Sequence, residues 1–87
     1  MRPMNYAILK LFESGDTMDA EDVMVVLRGE YGKFRAFKKA NIVESLMSAE
    51  KNFILEQTHY DLDDAGELHI YYKATENGKG MIKSFIK

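Results

Sequence analysis

The chain has 87 residues, of which 46% are hydrophobic and 30% are charged, a composition typical of a folded domain and not of a disordered segment. It contains no cysteine, which excludes disulfides and thiolate metal sites and suits a reducing cytoplasm. No apolar run in the sequence approaches the ~20 residues needed to cross a bilayer. We therefore expect a single domain over residues 1–87, located in the cytoplasm and not bound to a membrane.

The net charge is −2, which counts against a simple DNA-binding protein because such domains are usually basic. The charges are nevertheless segregated along the chain. Residues 13–22 carry five acids and no base, residues 28–39 carry five bases and one acid, and residues 61–67 carry four acids and no base. The surface of the folded domain should therefore be divided into patches of opposite sign.

Two helices are predicted in the first third of the chain. Apolar residues recur at helical spacing over residues 3–14, and Gly15 is placed to end that helix in a left-handed conformation. Asp19 is a good N-cap for the second helix, with Asp22 in its first turn. The β-branched residues that follow also allow a strand, but the capped, acidic start favours a helix. The glycines expected to end this helix are Gly29 and Gly32.

A third helix is predicted within residues 34–51, with Asn52 in the left-handed stop position. At 100° per residue the helix has an apolar side and an opposite side that is short and polar apart from Phe37. The apolar side consists of Ala40, Val43, Leu46, Met47 and Glu50. The polar side consists of Lys38, Asn41, Glu44, Ser45 and Ser48.

The last third of the chain reads as a hairpin followed by a helix. Residues 53–60 and 67–74 are rich in β-branched and aromatic residues, and the turn cluster between them ends in Gly66. Thr75 is an N-cap for the closing helix. Three helices, a two-stranded hairpin and a closing helix are the order of a winged helix domain, in the α+β class. This order does not point toward an enzyme, and no residue pattern calls for a cofactor.

Two stretches resemble PadR-like and MarR-like winged helix regulators. Residues 71–79 are similar to the end of their wing, where an aromatic strand runs into a Thr-capped helix with a glycine in its first turn. Residues 43–54 are similar to the end of their recognition helix. The resemblance implies a DNA-binding transcription regulator. The chain departs from the family at Ser45 and Ser48, where a leucine pair is usual, and at the wing tip, which is acidic where DNA-contacting wings tend to carry Arg or Lys.

Two surfaces are candidate binding sites. For duplex DNA, the third helix would enter the major groove, with basic side chains on phosphates and polar ones on base edges. The candidate DNA-binding residues are Arg35, Lys38, Lys39, Asn41, Ser45 and Ser48. The alternative ligand is a protein partner, such as an accessory or anti-repressor factor, bound through the acidic wing. The candidate residues for that role are Asp61, Asp63, Asp64 and Glu67. Each of the two charged clusters can also be interpreted as a solvated turn that binds no ligand.

The remaining features favour structural roles and a dimer. His59 and His69 lie in the two paired strands, but two histidines without a clear third ligand predict no metal site. The closing helix carries more apolar surface than a small body covers, which favours a weak homodimer through the first and last helices. The residues of that predicted interface are Met81, Ile82, Phe85 and Ile86. Packing of this helix onto the first helix as core is the other interpretation.

Overall fold

The computed structural model describes residues 1–87 and contains four helices and one antiparallel hairpin. In chain order the elements are α1 (Met4–Lys10), α2 (Ala20–Tyr31), α3 (Lys39–Lys51), β1 (Leu55–Leu62), β2 (Leu68–Ala74) and α4 (Glu76–Phe85). Three helices, a two-stranded wing and a closing helix confirm the predicted α+β winged helix. No helix of the chain combines the length and the apolar character that a membrane span requires.

The first helix is shorter than predicted because its last turn tightens. Regular helix stops at Lys10, and the amides of Leu11, Phe12 and Glu13 then donate to carbonyls three residues back, as in a 3₁₀ turn. The tightened turn carries Phe12 into the core, where its side chain is fully buried. Gly15 ends the segment with φ 91°, which confirms the left-handed stop.

The start of α2 is a reciprocal cap. Asp19 Oδ1 accepts from the Asp22 amide at 2.8 Å, and Asp22 Oδ2 accepts from the Asp19 amide at 3.1 Å, so two amides without helical partners are satisfied. The helical prediction is therefore confirmed and the strand alternative is wrong. Gly29 lies inside the helix, so the prediction that it ends α2 is also wrong; Gly32 is the C-cap, in right-handed conformation.

The third helix begins at Lys39, and the side that it buries differs from the apolar side predicted from the sequence. Its buried residues are Ile42, Leu46 and Ala49, spaced four and three apart, which places them in one stripe. Ala40 and Met47, assigned to the apolar side from the sequence, are exposed. The prediction fails because it omits Ile42, which is fully buried, and so misplaces the centre of the stripe.

The turn into the wing is held by α4. Phe53, not Asn52 as predicted, has a left-handed backbone, with φ 62°, a conformation that costs a non-glycine residue about 1–3 kcal/mol. Two hydrogen bonds from Thr75 offset this cost. Its hydroxyl donates to the Phe53 carbonyl at 2.7 Å, and its amide donates to the Ile54 carbonyl at 3.0 Å. The left-handed turn is therefore fixed by a tertiary contact.

The wing is an antiparallel ladder with one free edge. β1 pairs with β2 along its length, except at Thr58, where a bulge shifts the register. Gly66 has φ 82° in the connecting turn, as predicted for the hairpin. On the other side of β2, Met18 and Tyr72 exchange two backbone hydrogen bonds of 2.9 Å. One edge of the wing is thereby tied to the body, and the β1 edge is open.

A single apolar cluster joins the helices to the base of the wing. Thr75 Oγ1 caps α4 by accepting from the Gly78 amide at 2.8 Å, and α4 then places Ile82 and Ile86 in the core. The other members of the cluster are Ala7, Ile8, Phe12, Ala20, Val23, Leu27, Tyr31, Ile42, Leu46, Ala49, Leu55, Tyr72 and Ala74.

Candidate nucleic-acid interface

A group of unpaired basic side chains precedes α3. Lys33 and Arg35 lie in the turns after α2, and Lys38 is the residue just before α3; all three are exposed. None of the three forms an ion pair with an acid, and Arg28 at the end of α2 forms none either. These cations are therefore available to an external anion such as a phosphate.

Lys39 differs from these cations because two acids already hold it. Its Nζ lies 2.8 Å from Glu21 Oε1 and 3.7 Å from Glu67 Oε2. The hydrogen bond to Glu21 raises the pKa of Lys39 above its ordinary value. Of the predicted phosphate contacts, Arg35 and Lys38 are thus free, whereas Lys39 joins α2 and the wing to α3.

The polar candidates on α3 lie on the flank that faces α1. Asn41 Nδ2 donates to the Ala36 carbonyl at 3.0 Å, and Ser45 Oγ donates to Asn5 Oδ1 at 2.7 Å. Together with Ser48 they line a groove of about 560 Å³ between α3 and α1. Asn41 and Ser48 are exposed, while Ser45 is half-buried, so the first two are better placed to reach a ligand outside the groove.

The outermost face of α3 consists of residues that were not predicted to bind DNA. It lies opposite the buried stripe, and its members are Ala40, Glu44, Met47 and Lys51, all exposed. Glu44 is an acid at the middle of this face, a side chain that suits the cytosine amino group but repels phosphates. The spacing of Ile42, Leu46 and Ala49 is the signal in the sequence that identifies this face.

A histidine fastens the wing turn to the start of α2. His69 Nδ1 lies 2.8 Å from Asp19 Oδ2, and His69 Nε2 lies 2.9 Å from Asp63 Oδ2. The other carboxylate oxygen of Asp63 accepts from the amides of Ala65 and Glu67, each at 2.9 Å. Two of the four predicted wing acids, Asp63 and Glu67, therefore make contacts within the domain. The two without an ion-pair partner are Asp61 and Asp64.

The two histidines do not meet across the hairpin. His59 lies opposite Tyr71 and stacks on its ring, with centroids 4.5 Å apart. Ligand atoms of Glu21, Glu67 and His69 do come within 4.8 Å of one another. However, Lys39 already bonds to Glu21, and both ring nitrogens of His69 face carboxylates. We therefore assign no metal to this cluster.

Protonation of His69 controls the strength of its bonds to Asp19 and Asp63, because both ring nitrogens donate only in the imidazolium form. The bonds to Asp63 and then to Asp19 raise the pKa of His69 to about 9. The same bond to His69, followed by the Glu67 amide, lowers the pKa of Asp63. Burial alone would raise the pKa of Asp19, but the Asp22 amide and His69 outweigh it and lower that pKa.

The domain should become less stable as the pH rises from neutral to alkaline. The folded pKa of His69 lies above its ordinary value of 6.5, so its contribution is complete below that value and is lost as the pH rises through about 9. Urea midpoints at about pH 6 and about pH 9.5 measure this loss. The difference between the two midpoints should be smaller in His69→Gln than in the wild type. In the control His59→Gln it should equal the wild-type difference. An unchanged pH dependence in His69→Gln would contradict the assignment.

The predicted dimer residues divide into two pairs. Ile82 and Ile86 are buried in the core, whereas Met81 and Phe85 are 45% and 78% exposed. The exposed pair lies with Tyr6 of α1 along an apolar cleft of about 250 Å³. One side of the closing helix therefore packs on the body, as the second interpretation expects, and the other side faces outward. The homodimer stays a prediction.

Comparison with known proteins relates this geometry to solved structures. No family model matches the sequence, and a search of the curated proteins found no match. Bacillus subtilis PadR in complex with operator DNA is similar in fold, with a TM-score of 0.75 and 22% identity over 98% of this chain and 47% of that one. A PadR-like transcriptional regulator from Bacillus cereus gives a TM-score of 0.69 and 18% identity over 94% and 76% of the two chains. The chain therefore has a PadR-like winged helix fold and spans about half the length of the B. subtilis protein.

Proposed function

We propose that the chain is a small transcription regulator that binds duplex DNA, with α3 as its recognition helix and no enzymatic activity. The observation that supports this most strongly is the set of unpaired cations Lys33, Arg35 and Lys38, which leads directly into an exposed helix. The fold in which they occur is similar to that of a protein solved on operator DNA. Phosphate contacts supply much of the affinity of such proteins for DNA.

The start of α3 adds backbone donors to these cations. Lys38 is the N-cap and makes no side-chain capping bond, so no side chain satisfies the amides of the first turn. A helix start of this kind favours an anion through its free amides and its dipole. We assign phosphate contacts to Arg35 and Lys38, and base-edge contacts to Asn41 and Ser48.

A variant without two of these cations should bind all duplexes more weakly. Arg35→Ala with Lys38→Ala should lower the slope of log affinity against log salt by about 2, because each phosphate contact contributes ~0.9 to the slope. Fluorescence anisotropy with labelled duplexes of mixed sequence, over a range of salt concentrations, measures the slope. The matched control is Lys83→Ala with Lys87→Ala, which removes the same charge from the other end of the chain. Equal slopes for the two double variants would contradict the assignment.

We further propose a weak homodimer through the outward apolar side of α1 and α4. Tyr6, Met81 and Phe85 offer exposed apolar surface beside one cleft, and burying such surface favours association. A two-fold dimer would present two copies of α3 to two half-sites of a duplex.

Phe85→Glu should weaken this dimer at least about tenfold, because it places a charge in an apolar contact. Sedimentation over a range of protein concentrations measures the association constant. Val25→Glu is the control, since Val25 is exposed on α2 and does not line the cleft. A wild-type protein that stays monomeric at the highest concentration would exclude the dimer.

A further inference from the structure

The outer edge of β1 is an unpaired strand edge. The hairpin has only two strands, and apart from its ladder with β2 the backbone of residues 56–62 makes no hydrogen bond. All seven of these residues are exposed. The opposite edge of the wing is partly occupied by Met18. Free amides and carbonyls on an exposed edge can pair with another extended chain.

The side chains along this edge alternate in character. Tyr60 and Leu62 are 67% and 64% exposed, and their spacing places them on the same face of the hairpin. Leu68 lies opposite Leu62 in the ladder and is also exposed, so it extends that apolar face. Asp61 lies between the two apolar residues of β1 and projects from the other face.

The charges at this edge determine which kind of strand fits. Asp61 and Asp64 have no ion-pair partner, and β1 contains neither lysine nor arginine. A second copy of β1 would bring no cation to Asp61. Duplex DNA would place its phosphates beside these carboxylates, and like charges repel each other. A partner segment that carries its own basic residues matches the edge.

We propose that the β1 edge from His59 to Leu62 is a docking site for an extended segment of a partner protein in which basic and apolar residues alternate. The backbone of the segment pairs with the free edge. Its apolar side chains lie beside Tyr60 and Leu62, and a lysine or arginine between them faces Asp61. The bulge at Thr58 interrupts the regular edge and limits pairing to the outer part of the wing. This site is separate from α3 and does not depend on DNA binding.

A short synthetic peptide of alternating lysine and valine is the probe. It should shift the backbone amide resonances of residues 59–62 in a ¹⁵N-resolved NMR titration. A peptide of alternating glutamate and valine should bind much more weakly. A lysine–valine peptide with N-methylated backbone amides should also bind weakly, because it cannot donate to the strand edge. Equal binding of the glutamate peptide, or shifts that avoid residues 59–62, would overturn the proposal.

Variants of the wing separate charge from apolar contact. Asp61→Asn should weaken binding of the lysine–valine peptide about threefold to fivefold, as expected for one exposed ion pair. The single variant Leu62→Ser should weaken binding more than Asp61→Asn does. The control Glu30→Gln changes an exposed acid on α2 and should have no effect. Unchanged affinity in Asp61→Asn would overturn the proposal. So would duplex DNA shifting the same wing amides, whereas DNA shifts confined to residues 33–51 leave the wing site intact.

Discussion

Replacing Gly78 by alanine should destabilise the domain by about 3 kcal/mol or more, as expected when an added group meets a rigid neighbour. The new Cβ would lie 2.0 Å from the Ile54 carbonyl oxygen and 2.9 Å from Thr75 Oγ1. Neither atom can move aside easily, because the Ile54 carbonyl accepts from the Thr75 amide and the Thr75 hydroxyl caps α4. The helix must therefore move away from the body, which exposes Ile82.

Gly80→Ala is the matched control two residues along the same helix. No atom lies within 4 Å of the position that its Cβ would occupy, and alanine is favoured over glycine in a helix by about 1 kcal/mol. Gly80→Ala should therefore be as stable as the wild type or slightly more stable. Urea unfolding of both variants tests the pair. If Gly78→Ala unfolds at the wild-type midpoint, the described docking of α4 on Ile54 is wrong.

Ile42→Ala should have the second large effect, a loss of about 2–5 kcal/mol, because it empties a fully buried site in the core. Ile42 is 0% exposed and lies in the stripe by which α3 packs on the body. A domain of this size has only a small margin of stability, so we expect a substantial unfolded fraction. Circular dichroism during urea unfolding measures the loss.

Met47→Ala distinguishes the observed orientation of α3 from the one expected from the sequence. Met47 is 45% exposed, and a surface substitution of this kind changes stability by only about 0.5 kcal/mol. In the orientation predicted from the sequence, Met47 lies on the apolar side and Ile42 does not. If Met47→Ala destabilised the domain more than Ile42→Ala, the predicted orientation of α3 would be right and the outer face described for α3 would be wrong.

The features that the sequence predicted well are those encoded by neighbouring residues. Asp19 with Asp22, Gly15, Gly66 and Thr75 each act within a few positions of the chain, so the caps, the turns and the order of elements follow from local signals. The orientation of α3 is also local information. The prediction was wrong because its apolar side left out Ile42, which is buried together with Leu46 and Ala49.

The ion pairs of the candidate site were beyond the reach of local patterns. Lys39 was predicted to contact phosphate, yet it bonds to Glu21 and lies near Glu67, which are distant in sequence and close only after folding. His69 likewise joins Asp19 to Asp63 across the wing and α2. The positive φ of Phe53 also depends on a residue distant in sequence, since Thr75 holds it by hydrogen bonds. Tertiary contacts therefore decide which charges remain free for a ligand.

The most direct test of DNA recognition by α3 is a ¹⁵N-resolved NMR titration of the chain with a mixed-sequence duplex at low salt. We predict shifts of the amides of Lys33, Arg35 and Lys38 and of the exposed side of α3, with little change at the wing turn. Added salt should reverse these shifts, because counterion release drives the phosphate contacts. A titration without shifts at low salt, or with shifts that avoid residues 33–51, would contradict the proposal that this winged helix binds DNA through α3.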